Sequence, residues 1–197
     1  TNGLKVDIPR IVNYIDKEIM KGDIAEAKLF NPDFIIANMH WGLEYERIPS
    51  REQRELADWL LRQGVDLVIG SHPHVVQPME LRRGKEGVTD RLVVYSLGNF
   101  ISNMSREHTD GGVMVKVVLG RKGLRRYIIS AQYSLIYSSR YKNEQGKEDI
   151  RVVPAALWLG KNQNSSFSVD SALIKYVNNT RLFFKGNNKE VEEYIFE

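Results

Sequence analysis

The sequence predicts an α/β fold organised around a buried parallel sheet, and three observations predict it. Three short apolar runs, Asp33-Phe34-Ile35-Ile36-Ala37, Asp66-Leu67-Val68-Ile69-Gly70 and Leu92-Val93-Val94-Tyr95, lack the alternation of a half-exposed strand. Each therefore reads as a strand buried on both faces. A helix with its own start and stop signals lies between the first two. Past Gly111-Gly112 the pattern changes to partly alternating segments around a turn, the mark of an antiparallel hairpin.

Taken in order, Asp7 to Met20 places Ile8, Ile11, Val12, Ile15 and Ile19 at helical spacing, with Pro9 near the first turn. A second short helix is expected from Asp23, where Asp23 and Glu26 have capping-box spacing, to Asn31-Pro32, since the residue before proline avoids the helical region. The first apolar run then leads into Asn38-Met39-His40. In the helix that follows, Ser50 and Gln53 form a capping box, Leu56, Leu60 and Leu61 make an apolar face, and Gly64 suits the C′ position. The second run leads into Ser71-His72-Pro73-His74, and the third into Ser96-Leu97-Gly98-Asn99-Phe100. Strand, helix, strand at this spacing is a βαβ unit, so the first two strands should be parallel with a right-handed crossover. Their C-terminal ends, bearing His40 and His72, then open on one edge of the sheet, where α/β proteins bind ligands.

Downstream, Val113–Leu119, a turn at Arg121-Lys122-Gly123 and Leu124–Tyr137 make the hairpin. Ser138–Asp149 is polar and is expected to be a mobile loop. Arg151–Leu159, interrupted by Pro154, suits an edge strand. Val169–Phe184 reads as a helix with Leu173, Ile174 and Val177 on its apolar side, and the last dozen residues form a short helix or a tail.

Composition narrows the chemistry. With 197 residues the chain has room for one domain with a sizeable core. Its 28 basic and 25 acidic residues give a mixed surface, without the basic, aromatic-interleaved stripe that nucleic acid requires. An anionic substrate stays open. There is no cysteine, so disulfides, thiolate chemistry and Cys-based zinc sites are excluded, leaving His, Asp, Asn and Glu as metal donors. No apolar run approaches the roughly 20 residues of a membrane span.

Three of the four histidines, His40, His72 and His74, sit at strand ends. Imidazole nitrogens bind borderline metals when several converge, and the proline in His72-Pro73-His74 stiffens the turn that presents two of them. The alternative is histidines at the core edge bonded to nearby backbone. Glu44 could serve as general acid/base or orient a histidine, or be a solvated loop carboxylate. Asn99 could hold substrate or metal, or simply fill a turn. Trp41 and Tyr45 could line a pocket or be packed. His108, in the polar Arg106–Asp110 stretch, reads as a loop residue.

These residues carry a resemblance. His40-Trp41-Gly42-x-Glu44-Tyr45, Gly70-Ser71-His72-Pro73-His74-Val75 and Tyr95-Ser96-Leu97-Gly98-Asn99-Phe100, in this order, resemble the CapA family of poly-gamma-glutamate capsule biosynthesis, within the calcineurin-like metallophosphoesterase superfamily. The resemblance covers residues 33–112. It implies an αββα four-layer architecture of which this chain is the C-terminal half: one domain portion, with a motif-bearing core at 33–112 and hairpin and C-terminal elements at 113–197. It implies His72 and His74 as metal ligands and His40 as the ligand of a second metal. One or two divalent ions are expected, with Mn, Fe, Zn and Mg equally compatible. By position and residue type, Glu44 and His74 are the candidate catalytic residues, and Trp41, Tyr45 and Asn99 the candidate substrate-binding residues. The family's opening Gly-Asp motif and later Asn-His pair, which supply the remaining ligands, have no counterpart here. The partner expected is therefore the missing N-terminal half. It should complete an unpaired strand edge that could otherwise join a second copy. The implied activity is metal-dependent hydrolysis of an anionic polymer or phosphoester, outside the cytoplasm or at the cell envelope. The alternative is a non-catalytic component that binds the polymer during synthesis or export.

Overall fold

The computed structural model describes residues 13–84, 90–123, 125–162 and 171–195. In chain order the elements are α1 (Lys17–Leu29), β1 (Ile36–His40), α2 (Arg51–Gln63), β2 (Leu67–Ser71), β3 (Met79–Arg82), β4 (Arg91–Val94), β5 (Gly111–Lys122), β6 (Arg125–Lys142), β7 (Glu148–Pro154), α3 (Ala155–Asn162), α4 (Ser171–Asn187) and β8 (Glu192–Glu193). They build the α/β architecture that the sequence predicts.

The first sheet has the order β1-β2-β4-β3. β1, β2 and β4 are parallel, and β3 returns antiparallel to β4. Side chains alternate between its faces. Val68 and Val93 pack with Leu56, Ala57 and Leu60 of α2 and Ile24 of α1. Leu67, Leu92 and Val94 point the other way, into a larger core shared with the second sheet. That sheet runs β5-β6-β7, with β8 beside β6. It contributes Val113, Ile128, Tyr133, Leu135 and Tyr137, and α4 adds Leu173, Tyr176, Val177 and Phe184 to the same core. Two sheets thus face each other, with α1 and α2 covering the far side of the first.

Local signals explain the best-read element. Ser50 and Gln53 make both bonds of the capping box, and Gly64 closes α2 in the left-handed conformation at a φ of 100°. Asp66, almost wholly buried, then pins the start of the sheet: its carboxylate accepts from the Ile35 N–H and from Arg91 Nη1, each at 2.8 Å. The pairing register sets His40 opposite Ser71.

Several expectations are corrected. Residues 13–16 are not helical, and a single helix, α1, replaces the two short ones. It is capped by Asp16, whose side chain accepts from the Glu18 and Ile19 N–H groups, and it carries Asp23 in its interior. The part of the first expected helix at 7–12 lies outside the described residues. β1 starts three residues later than Asp33 and includes His40. The polar segment after Tyr137 is not a loop: β6 continues to Lys142 and pairs with β7, the turn between them held by Asn143, whose backbone N–H donates to the Lys147 carbonyl. Long β pairing overrides composition there. Arg151–Leu159 is divided between β7 and α3, with Pro154 at the junction. Ile174 is exposed, and Tyr176 takes its place on the buried face of α4.

β1 is an edge strand, with Ile36, Asn38 and His40 exposed along it. A cavity of about 990 Å³ runs between this edge and α1, lined mainly by apolar groups such as Ile24, Ala27, Ile36 and Leu60, and reaching His40. Among the described residues, no helix is long and apolar enough to cross a membrane.

Candidate active site

Three chain segments meet at the C-terminal end of the parallel sheet. β1 delivers His40, and the Trp41 N–H extends the pairing by donating to the Ser71 carbonyl at 3.1 Å. β2 runs into His72-Pro73-His74. The loop from β1 to α2 folds over that turn, tied by the Tyr45 N–H donating to the Pro73 carbonyl at 2.7 Å. The chain leaving β4 brings Asn99 alongside, after the Leu97 N–H donates to the Gly70 carbonyl.

The side chains converge. The rings of His40 and His72 lie 4.5 Å apart between centroids, and those of His72 and His74 lie 6.1 Å apart. The Tyr45 ring stacks on His74 at 6.1 Å. His74 Nδ1 is 3.0 Å from Asn99 Oδ1, and Asn99 Nδ2 donates to the Thr109 carbonyl at 3.0 Å. The second bond orients the amide, so Oδ1 is the acceptor and His74 carries its proton on Nδ1. In the neutral ring this leaves the lone pair on Nε2, the arrangement suited to a ligand or a base. Burial, followed by the neighbouring His72 and His74 rings, lowers the His40 pKa from its ordinary value.

The backbone is contorted to achieve this. His72 has a φ of 104°, His74 of 61° and Tyr45 of 69°. Side-chain-bearing residues rarely adopt these values, which cost of order 1–3 kcal/mol each and cluster at active sites and ligand clamps. In addition, His72 Nδ1 is buried with no hydrogen-bond partner among the described residues. Such a nitrogen costs about 1–3 kcal/mol unless something supplies a partner.

A buried amide pair supports the loop. Gln53 Nε2 donates to Gln77 Oε1 at 2.8 Å, Gln77 Nε2 donates to the Glu46 carbonyl at 2.8 Å, and Gln53 Oε1 accepts from the Ser50 N–H. Gln77 therefore ties the α2 cap and the Tyr45 loop to the segment that follows His74. Gln77→Ala should destabilise the fold by about 2 kcal/mol, because it strands Gln53 and the Glu46 carbonyl inside the protein. Urea unfolding measures this, and an unchanged midpoint would remove the supporting role.

The structure treats the expected residues unequally. It brings His40, His72, His74, Tyr45 and Asn99 together. Trp41 is turned into the core, its Nε1 donating to the Tyr95 carbonyl at 2.9 Å and its ring stacked on Tyr95. Only 4% exposed, it has the placement of a packing residue and not of a pocket wall. Glu44 is exposed on the loop and makes no hydrogen bond or ion pair among the described residues. His108 stays outside the cluster, near Glu107. Gln77, Thr109 and Arg106 complete the surroundings. Their roles have no signature in the sequence, since each depends on contacts between segments far apart in the chain.

The donor set suits a divalent metal in kind: imidazoles in contact, a free Nε2 on His74 and an orphaned nitrogen on His72. It falls short in number. Among the described residues no group of three or more His, Asp or Glu side chains is placed to hold a metal ion.

Comparisons of the sequence with known proteins identify its family. Residues 2–104, just over half of the chain, match the family model described as "Bacterial capsule synthesis protein PGA_cap". The chain is 34% identical over 115 residues to the "PGA biosynthesis protein CapA" of Bacillus subtilis (strain 168), covering 58% of this chain and 28% of that protein. It is 35% identical over 107 residues to the "Capsule biosynthesis protein CapA" of Bacillus anthracis, covering 54% of this chain and 24% of that protein. The chain thus spans about a quarter of the length of the curated relatives it matches.

Proposed function

From the premise that this chain belongs to the bacterial capsule synthesis protein PGA_cap family, we propose that its histidine cluster is one wall of a divalent-metal site for hydrolysing an anionic capsule polymer or a phosphoester. The observation that carries this reading is the buried, unpartnered His72 Nδ1 in a turn whose two histidines both adopt positive φ. Strain and an orphaned donor atom are tolerated where a ligand makes use of them.

His40, His72 and His74 would hold the metal, with the remaining ligands supplied by polypeptide outside this chain. The exposed edge of β1 and the apolar cavity beside it support a domain completed there, because a strand edge without a partner among the described residues invites another strand. When bound, a divalent ion polarises a carbonyl or phosphoryl oxygen and lowers the pKa of water. The chain's own residues prepare the site. Asn99 holds His74 in the tautomer that leaves Nε2 open, and Tyr45 fixes the plane of that ring. Glu44, free on the loop, would move a proton between solvent and the reacting group. Membership of a capsule synthesis family supports a reaction at the cell envelope.

The exposure of Glu44 and the incomplete donor set favour a second reading, in which the site binds polymer carboxylates without cleaving them. The two are separated with the full-length protein, by metal content from elemental analysis beside turnover of a generic phosphodiester and of poly-gamma-glutamate. Bound metal with turnover of either substrate is the expected result. Bound metal without turnover selects the binding reading, and metal-free protein eliminates both forms of the metal site.

A further inference from the structure

We propose that Arg106 is an oxyanion clamp that holds a carboxylate or phosphoryl group of the substrate next to His74; this rests on the reading above that the ligand is anionic. The Arg106 guanidinium lies over the Tyr45 ring, 4.0 Å from its centroid, and the same ring stacks with the His74 imidazole at 6.1 Å. A second route joins the same residues through the backbone. The Arg106 carbonyl accepts from the Thr109 N–H at 3.1 Å and from Thr109 Oγ1 at 2.6 Å; the Thr109 carbonyl accepts from Asn99, and Asn99 holds His74. Arg106, Tyr45, His74, Asn99 and Thr109 therefore form a closed circuit of contacts. The backbone path fixes the main chain of Arg106 beside His74, and the Tyr45 ring fixes its guanidinium, so the fold positions both ends of the side chain.

Its charge is uncommitted. Arg106 is exposed and has no hydrogen bond or ion pair from its side chain among the described residues. The neighbouring carboxylate, Glu107, lies instead within 3.7 Å of Lys175 and 4.0 Å of His108. Stacking on an aromatic face uses the π surface of a guanidinium and leaves its N–H edge free, and that edge matches a carboxylate or phosphoryl group two bonds at a time. The strain falls in the same place: Tyr45 and His74, the two rings of the stack, both have positive φ. A surface arginine with an ordinary solvating role requires neither contortion.

The full-length protein tests this by titration calorimetry with two probes, inorganic phosphate and a gamma-linked glutamate oligomer. Arg106→Ala should weaken binding of at least one probe about tenfold or more, with metal content and thermal unfolding unchanged, and the probe affected identifies the anion. Arg106→Lys should remain at least about threefold weaker than the wild type, because an ammonium restores charge without the stack or the paired donors. Wild-type affinity in Arg106→Ala overturns the clamp while leaving the proposed function standing. Wild-type affinity in Arg106→Lys also overturns it, since a point charge would then suffice. A wild type that binds neither probe removes the clamp together with the anionic-substrate reading.

Discussion

Gly70→Ala is expected to lower stability by about 3–5 kcal/mol, a large part of the 5–15 kcal/mol typical of a natural domain. Gly70 is buried in β2, two residues before His72. A Cβ there would run into the Tyr95 carbonyl oxygen and the Trp41 indole nitrogen. Those two atoms are hydrogen-bonded to each other, so the added methyl would wedge into the bond that holds β1's last turn against β4. Overpacking a core costs about 1–3 kcal/mol, and stranding a buried donor and acceptor costs about as much again. The obstacles are backbone and a packed ring, and neither can move aside cheaply. Chemical denaturation of Gly70→Ala beside the wild type measures the loss. A change under 1 kcal/mol would show that the strands separate easily at this point, contrary to the packing seen.

The second large effect separates strain from function at His72. On the proposed metal site, both His72→Ala and His72→Gly should lower metal content and slow hydrolysis by about 100-fold or more, since outer partners of a metal ligand alone are worth 10–100-fold. Their stabilities should nevertheless differ. At a φ of 104° an alanine carries a Cβ penalty that glycine escapes. His72→Gly should therefore be more stable than His72→Ala by about 1–2 kcal/mol, the reverse of the usual order in which glycine destabilises. Both variants delete the buried Nδ1 that has no partner, so this contribution cancels in the comparison. Thermal unfolding of the pair gives the difference. Equal stabilities would mean that the turn relaxes once the imidazole is gone, and that the strain is not built into the backbone.

How much of this was legible from the residues depended on the range of each signal. α2 was readable end to end because its cap, apolar face and terminal glycine all act within the helix. The convergence of His40 with His72 followed from βαβ geometry, since a parallel crossover leaves both strands ending on one edge. β3 went unread. Met79-Glu80-Leu81-Arg82 alternates over only two apolar positions, where β4 has a continuous apolar run, and β3 forms because β4 offers an antiparallel partner. The extension of β6 was missed for a related reason: Ser138–Lys142 is polar, yet β7 completes its backbone hydrogen bonds. The capping-box spacing of Asp23 and Glu26 imitates a helix start, but Asp16 holds that position and Gly22 is accommodated within α1.

By itself, the sequence determined the fold class, the parallel core of β1, β2 and β4, and the motifs that mark the family, because these follow from short-range periodicity and residue type. Only the tertiary structure decided which marked residues form the site. Trp41 and Tyr45 are both aromatic and four residues apart, yet one packs in the core and the other stacks on His74. Their separation depends on how the loop settles over the His72–His74 turn, and that is set by the Pro73 carbonyl and by Gln77, both from beyond α2. The tautomer of His74 and the strain at His72 and His74 likewise arise from Asn99 and from the turn itself, where backbone geometry and long-range contacts act together.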